Sequence, residues 1–330
     1  MRDSFRLLPL AVLPTFTYAL FRFSIGVIIP DFERVYGVTD PIAGLLVSAY
    51  IGCITLGVIL AGYMAAKYGE VRAIIIGLIL FSIPIAGLAF SSGLPAFSLL
   101  LLVGAVGGGI MTTPTYSLAA SVLSKRKGTA ISFVTASFNM GGLVGPALAG
   151  VMLAVYGWPS PFSALGVVGG AVCLLFLGSY RGMRQYEGRT EDVGRSFRSM
   201  MRRRSLVVLA AANFFADLGF VAYTSWIPKF LIASFDARGG SVIVIDSTFG
   251  IAIGFGGIGV LLAGILFDRI GGRKASLLGG FATTVLTFVL FSTNSLASAI
   301  WLVVATGFVF NWFWVLLTSM EQANVDRESQ

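Results

Sequence analysis

Residues 56–69 read LGVILAGYMAAKYG, and residues 258–271, 202 positions further on, read IGVLLAGILFDRIG. Gly57 and Gly259, Val58 and Val260, Leu60 and Leu262, Ala61 and Ala263, Gly62 and Gly264, and Gly69 and Gly271 are identical pairs, and Lys67 meets Arg269. The match runs on through Ala73 and Ala275 to Gly77 and Gly279. Upstream, IIPDF at 28–32 matches WIPKF at 226–230 with an offset of 198, pairing Pro30 with Pro228. A loop between the two points absorbs the difference in offset. Two apolar helices resemble each other by chance, but Gly, basic and Pro positions do not agree by chance across three helices. The chain is therefore expected to be a parallel repeat, two bundles related by an axis along the membrane normal.

The sequence around this repeat is too apolar for water. Hydrophobic residues make up 56% and charged residues 12%, with mean hydropathy +0.89, whereas soluble domains carry roughly 25% charged residues. Gly (41) and Phe (27) are abundant, which suits packed membrane helices. A bilayer core needs about 20 apolar helical residues per crossing. Ten runs reach that scale: 7–30, 41–63, 73–91, 96–123, 128–153, 161–180, 205–229, 247–267, 275–292 and 297–319. They do not alternate as β-barrel strands do, and the first is too long for the apolar region of a cleaved signal peptide. The expected class is an all-α polytopic membrane protein. There is no histidine, hence no His metal ligand, general base or proton relay. Cys53 and Cys173 sit in apolar runs and read as small buried hydrophobes. No metal, no cofactor and no enzymatic activity are expected.

Basic residues give the orientation. With a cytoplasmic N-terminus, 19 of the 23 Lys and Arg fall in cytoplasmic connections, while the far side holds Arg34, Lys229 and Arg238 and Arg22 lies within a helix. The same distribution accounts for the basic pI without nucleic acid, because these side chains anchor helix ends at anionic headgroups. The longest internal connection, 181–204, reads as a polar cytoplasmic linker between an N-terminal six-helix bundle (1–180) and a C-terminal bundle of four helices (205–330). Its end, RSFRSMMRRR at 195–204, has the pattern of a short basic amphipathic helix on the membrane surface.

Residues 264–274, GILFDRIGGRK, space Gly264, Asp268, Arg269, Gly271, Arg273 and Lys274 in a pattern that resembles the signature loop of the major facilitator superfamily at all six diagnostic positions. The first-half loop keeps Gly62, Lys67, Gly69 and Arg72, with Ala66 where that family usually has Asp. In the fifth run, Gly141, Gly145, Pro146 and Gly150 are similar to the family's Gly-Pro motif, with Ala149 in place of one Gly. The arginine that many drug antiporters of the family carry in helix 4 is absent; Val103 and Gly104 stand near its place. The resemblance implies two pseudo-symmetric helical bundles and transport of a small solute by alternating access, with proton coupling as one form of drive. It also implies a monomer embedded in the lipid bilayer of the cell membrane, with the two loops acting as cytoplasmic gates. In physical terms Gly62 and Gly264 permit close helix contact, Gly69 and Gly271 permit a tight turn, and Asp268 caps a helix or pairs with a basic neighbour. At the repeat offset Gln330 lies opposite Gly128, the start of the fifth run. Ten of the usual twelve helices are thus expected here, and the alternative to a working carrier is a truncated, transport-incompetent fragment or a membrane sensor on the same scaffold.

Charges inside a membrane cost about 2.5–3.5 kcal/mol at mid-helix and mark function by default. Arg22 lies eight residues before Pro30, about 12 Å deep, and Asp217 eleven residues before Pro228, about 16 Å deep, at 1.5 Å per residue. Thr15, Tyr18 and Arg22 share one helix face, and Asn213, Asp217 and Thr224 share another. Thr112, Thr113, Tyr116, Asn139, Asn311 and Trp314 are further solute-binding candidates on the helices that the resemblance places around a central cavity. Arg22 suits bidentate contact with an anionic group. Asp217 is the candidate for a coupling proton, since apolar surroundings disfavour a bare carboxylate. The competing reading is that Arg22 and Asp217 neutralise one another as a structural or gating pair.

Overall fold

A computed structural model describes residues 2–123, 127–184, 204–235, 240–270 and 272–310. Every regular element among them is helical: α1 (Arg2–Tyr36), α2 (Asp40–Tyr68), α3 (Glu70–Leu88), α4 (Leu94–Val122), α5 (Lys127–Tyr156), α6 (Ser160–Gly178), the short α7 (Tyr180–Arg184), α8 (Arg204–Ser234), α9 (Gly240–Ile270), α10 (Gly272–Ser292) and α11 (Leu296–Phe310). The chain divides into two units, Met1–Val193 and Gly194–Gln330, each described below by itself.

Six helices among the described residues are long and apolar enough to cross a bilayer: Leu7–Tyr36, Asp40–Tyr68, Glu70–Leu88, Leu94–Val122, Ala130–Tyr156 and Ser160–Gly178. All belong to the first unit and fall on the first six sequence runs. The later runs appear as α8 and as shorter apolar stretches, Val242–Gly256, Leu277–Ser292 and Leu296–Phe310. Of the 181–204 linker, α7 occupies the start and Arg204 opens α8; the rest of RSFRSMMRRR lies outside the described residues. The surface is apolar, with Val167, Leu174, Phe281, Phe288 and Trp301 all at least 70% exposed, as lipid-facing side chains are.

Glycine sets the packing of the first unit. α1 packs on α5, α4 on α2 and α3, and α3 on α6. A Cβ on Gly57 of α2 would strike the Val106 carbonyl of α4, and one on Gly109 would strike the Ile54 carbonyl of α2. Gly107 faces α3, where an added Cβ would lie 2.5 Å from the Phe81 nitrogen, and Gly108 faces α1, 3.0 Å from the Tyr18 ring. Successive glycines of α4 thus bring three different helices to backbone distance. The Gly-Pro motif of α5 works the same way against α1: Gly141 lies under the Phe16 carbonyl and Gly145 under that of Leu20, with Pro146 and Gly150 buried beside them. Without a hydrophobic force between helices in lipid, such close approach is what holds the bundle. At one end of the unit Phe32, Tyr36, Phe97, Trp158 and Phe162 pack ring on ring, with centroids 5.1–6.3 Å apart.

The second unit holds an equivalent glycine crossing. A Cβ on Gly259 of α9 would strike the Phe308 carbonyl of α11. Gly259 is the repeat mate of Gly57, and Phe308 of Val106. A Cβ added to Gly307 at the same crossing would lie 2.6 Å from the Ala252 carbonyl oxygen. Phe220 of α8 stacks on Phe310 of α11 at 4.8 Å, and Phe230 of α8 meets Phe291 of α10 edge-on.

Candidate solute site

The polar stripe expected on α1 lies inside the first unit. Thr15 and Tyr18 are buried, and Arg22 is half-buried. Arg22 Nη1 donates to the Tyr18 hydroxyl at 3.0 Å, the two residues being one helical turn apart. The guanidinium carbon lies 5.9 Å from the Tyr18 ring centroid, so the tyrosine stabilises the cation with both its oxygen and its π face. Gly108 gives the Tyr18 ring its room. The Thr15 hydroxyl is buried with no hydrogen-bond partner among the described residues.

The other first-unit candidates divide. Tyr116 of α4 is half-buried. Asn139 of α5 is buried. Thr112 spends its hydroxyl on the Gly108 carbonyl, 2.7 Å away, and Thr113, on the next face of α4, is exposed.

Sequence reasoning passed over two buried polar residues of the first unit. Tyr50 of α2 is 1% exposed, its ring lies 6.1 Å from that of Phe21 between centroids, and its hydroxyl has no hydrogen-bond partner among the described residues. Its only sequence signal is a single phenol in the middle of an apolar run. Glu70, the first residue of α3, is buried and accepts a hydrogen bond from Ser117 of α4. The signal there was an acid directly after Gly69.

Gly69 makes the tight turn expected of it, with φ 92° and its N–H bonded to the Ala65 carbonyl. Lys67 is exposed and held on its own helix by the Tyr63 hydroxyl at 3.2 Å and by the rings of Tyr63 and Tyr68. Arg72 donates to the Tyr180 hydroxyl of α7 at 2.9 Å. Gly62 is half-buried on α2. In the second loop Arg269 and Lys274 are exposed. The side chains of Asp268 and Arg273, the surroundings of Gly264 and the whole of Gly271 lie outside the described residues.

In the second unit Asp217 is half-buried on α8, and Thr224 bonds to the Phe220 carbonyl at 2.8 Å. The Asn213 side chain, Asn311 and Trp314 lie outside the described residues. Tyr223 of α8 meets Thr306 of α11. Asp246, at 2% exposure on α9, is a buried acid that the sequence runs left just outside a span.

Long apolar helices, glycine crossings and charged side chains on inner faces define a multi-pass membrane protein. The family model described as Major Facilitator Superfamily matches residues 12–330, and the chain belongs to that family. A cis,cis-muconate transport protein of Acinetobacter baylyi is 24% identical over 281 residues, covering 81% of this chain and 67% of the relative. A probable sulfoacetate transporter, SauU, of Cupriavidus necator is 24% identical over 275 residues, covering 78% and 63%. The chain thus spans about two thirds of the length of these curated relatives. Among solved structures, the xylose transporter XylE of E. coli matches with TM-score 0.76 at 16% identity, covering 98% of this chain and 85% of the other. A bacterial homologue of the human lysosomal transporter Spinster matches with TM-score 0.76 at 19% identity, covering 95% and 73%. At these identities the structural likeness speaks for the fold.

Proposed function

We propose that this protein is a secondary transporter that carries a small organic anion across the cell membrane by alternating access of two bundles, 1–180 and 205–330, joined by the 181–204 linker. The observation that carries the reading is Arg22: a guanidinium set among buried side chains of a membrane helix and oriented by Tyr18. Such a charge is expensive in apolar surroundings and earns its place by binding, and a guanidinium matches carboxylate or sulfonate oxygens in pairs. The names of two relatives, for cis,cis-muconate and sulfoacetate, point to the same solute chemistry.

In this reading the N-terminus is cytoplasmic, the protein works as a monomer, and all ten apolar runs cross the bilayer. Tyr18, Tyr116 and Asn139 line the solute's path in the first bundle, and Asn213, Thr224, Asn311 and Trp314 in the second. Asp217 carries the coupling proton. The loops around Lys67 and Arg72, and around Asp268 and Arg269, latch the cytoplasmic side. Reconstituted protein is expected to accumulate labelled cis,cis-muconate or sulfoacetate when the vesicle exterior is acidified. Asp217→Asn is expected to keep solute counterflow and lose the proton-driven accumulation. Proton-driven accumulation undiminished in Asp217→Asn would remove that residue from the coupling step.

A further inference from the structure

The two repeat-related loops carry their acids in different places. At the offset of the glycine pairs Ala66 lies opposite Asp268, Gly69 opposite Gly271 and Glu70 opposite Gly272. Each stretch, 62–72 and 264–274, holds one acid: Asp268 stands three residues before its turn glycine, Glu70 one residue after. Ser117 of α4 and its mate Ser319 are the same residue in both halves.

On the α3 side of the glycine the acid is built into the unit. Glu70 is the first residue of α3, is 3% exposed, and accepts a hydrogen bond from the Ser117 hydroxyl. A buried carboxylate persists only where hydrogen bonds offset its lost hydration, and the free N–H groups of a first helical turn favour negative charge there. The bond does what a glycine such as Gly272 cannot: it fastens the start of α3 to α4, directly after the turn. Two backbone bonds close that turn, from the Gly69 N–H to the Ala65 carbonyl at 3.0 Å and from the Ala73 N–H to the Gly69 carbonyl at 3.1 Å. Lys67 and Arg72 stand on either side of it. Arg72 is held separately, donating to Tyr180 of α7 at 2.9 Å, so α3 keeps a second tie when Glu70 is lost.

We propose that Glu70 is the positioning acid of the first cytoplasmic loop: through Ser117 it fixes the Gly69 turn on α4 and so sets where the loop presents Lys67 when the cytoplasmic side is latched. This rests on the gating reading above and adds to it a residue on the α3 side of the turn.

Hydrogen exchange at single amides of the purified full chain, with no solute added, tests it. Glu70→Ala should speed exchange at Gly69 and Ala73 roughly 10-fold, the loss expected for one hydrogen bond to a charged group. Ser117→Ala should do the same, and both changes together no more than either alone. Glu70→Gln, whose amide oxygen still accepts from Ser117, should stay near wild type. The Phe97 amide, bonded to the Gly93 carbonyl at 3.0 Å at the other end of α4, should be unchanged throughout. In proteoliposomes, counterflow of cis,cis-muconate or sulfoacetate should lose roughly 10-fold in maximal rate in Glu70→Ala at an unchanged half-saturating concentration, and regain it in Glu70→Gln. Wild-type exchange at Gly69 and Ala73 in Glu70→Ala overturns the assignment. So does faster exchange that reaches Phe97, since the acid would then serve the whole unit. Full counterflow in a Glu70→Ala protein whose turn has opened overturns it as well, since the turn would then not govern transport. A wild type that carries neither solute overturns the organic-anion reading alone, because the exchange result is read without solute.

Discussion

Where the first unit carries Arg22, the second carries Phe220, its mate at the offset of the proline pair. Where α4 has Gly108, α11 has Phe310 at the offset of the glycine pairs. The glycine leaves space for the Tyr18 ring, and Tyr18 then takes a hydrogen bond from Arg22. The two phenylalanines instead stack on each other at 4.8 Å. These two repeat positions thus hold a cation and the space for its partner in one unit and a closed aromatic contact in the other. The glycine crossings Gly57 on Val106 and Gly259 on Phe308 stayed the same in both. Duplication preserved the backbone contacts that make a bundle, and the chemistry diverged on the faces those contacts left free.

The sharpest way to break this comparison is to attack what the units share. Gly57→Ala and Gly259→Ala each drive a methyl into a backbone carbonyl that cannot rotate away. Each is expected to destabilise its own unit by about 3 kcal/mol or more, read as early melting and loss of monodisperse protein. If one is tolerated and the other is not, the two crossings are not equivalent. Next comes Phe310→Ala. Removing a nearly buried ring from the α8–α11 stack should cost about 3 kcal/mol, while the protein that remains folded keeps its solute affinity, measured by equilibrium binding.

Gly108→Ala is smaller and more informative. Its methyl would lie 3.0 Å from the Tyr18 ring, a flexible neighbour, so the ring yields and carries its hydroxyl away from Arg22. Stability should fall by about 1 kcal/mol, and solute affinity by roughly 5-fold, about 1 kcal/mol as well. A fall in stability with affinity unchanged would detach Tyr18 from binding. Smallest of all is Gly52→Ala on α2, where an added Cβ meets nothing. It should stabilise the helix by up to about 1 kcal/mol, visible as a slightly raised melting temperature.

The sequence exposed the repeat because a glycine at a helix crossing is a steric demand. Gly57 and Gly259, or Gly141 and Gly145, cannot drift without moving a neighbouring backbone, so the pattern survives in one dimension. Tyr18 and Arg22 were legible for a related reason: a spacing of one helical turn places them on one face wherever the helix packs. Tyr50 was not legible, because a lone tyrosine in an apolar run looks like any core residue, and only the packing leaves its hydroxyl buried without a partner among the described residues. Thr112 and Thr113 differ by one position and so by about 100° around the helix. Sequence alone gives no means of choosing between the hydroxyl bonded to its own helix and the exposed one. Glu70 reads as an ordinary acid in the first turn, and only the packing of α3 on α4 reveals it buried against Ser117. The contacts of Lys67 with Tyr63 and Tyr68 on its own helix were not read from the sequence either.

The central claim is that Arg22 binds the anionic group of the carried solute. Initial uptake of labelled cis,cis-muconate and of labelled sulfoacetate into proteoliposomes, compared for wild type, Arg22→Lys and Arg22→Ala at equal protein content, tests it most directly. Uptake of at least one solute by the wild type is expected, with partial uptake by the lysine variant and a loss of roughly 100-fold or more for alanine, the scale of a charge-assisted hydrogen bond at about 3 kcal/mol. Uptake by Arg22→Ala at the wild-type rate would contradict it.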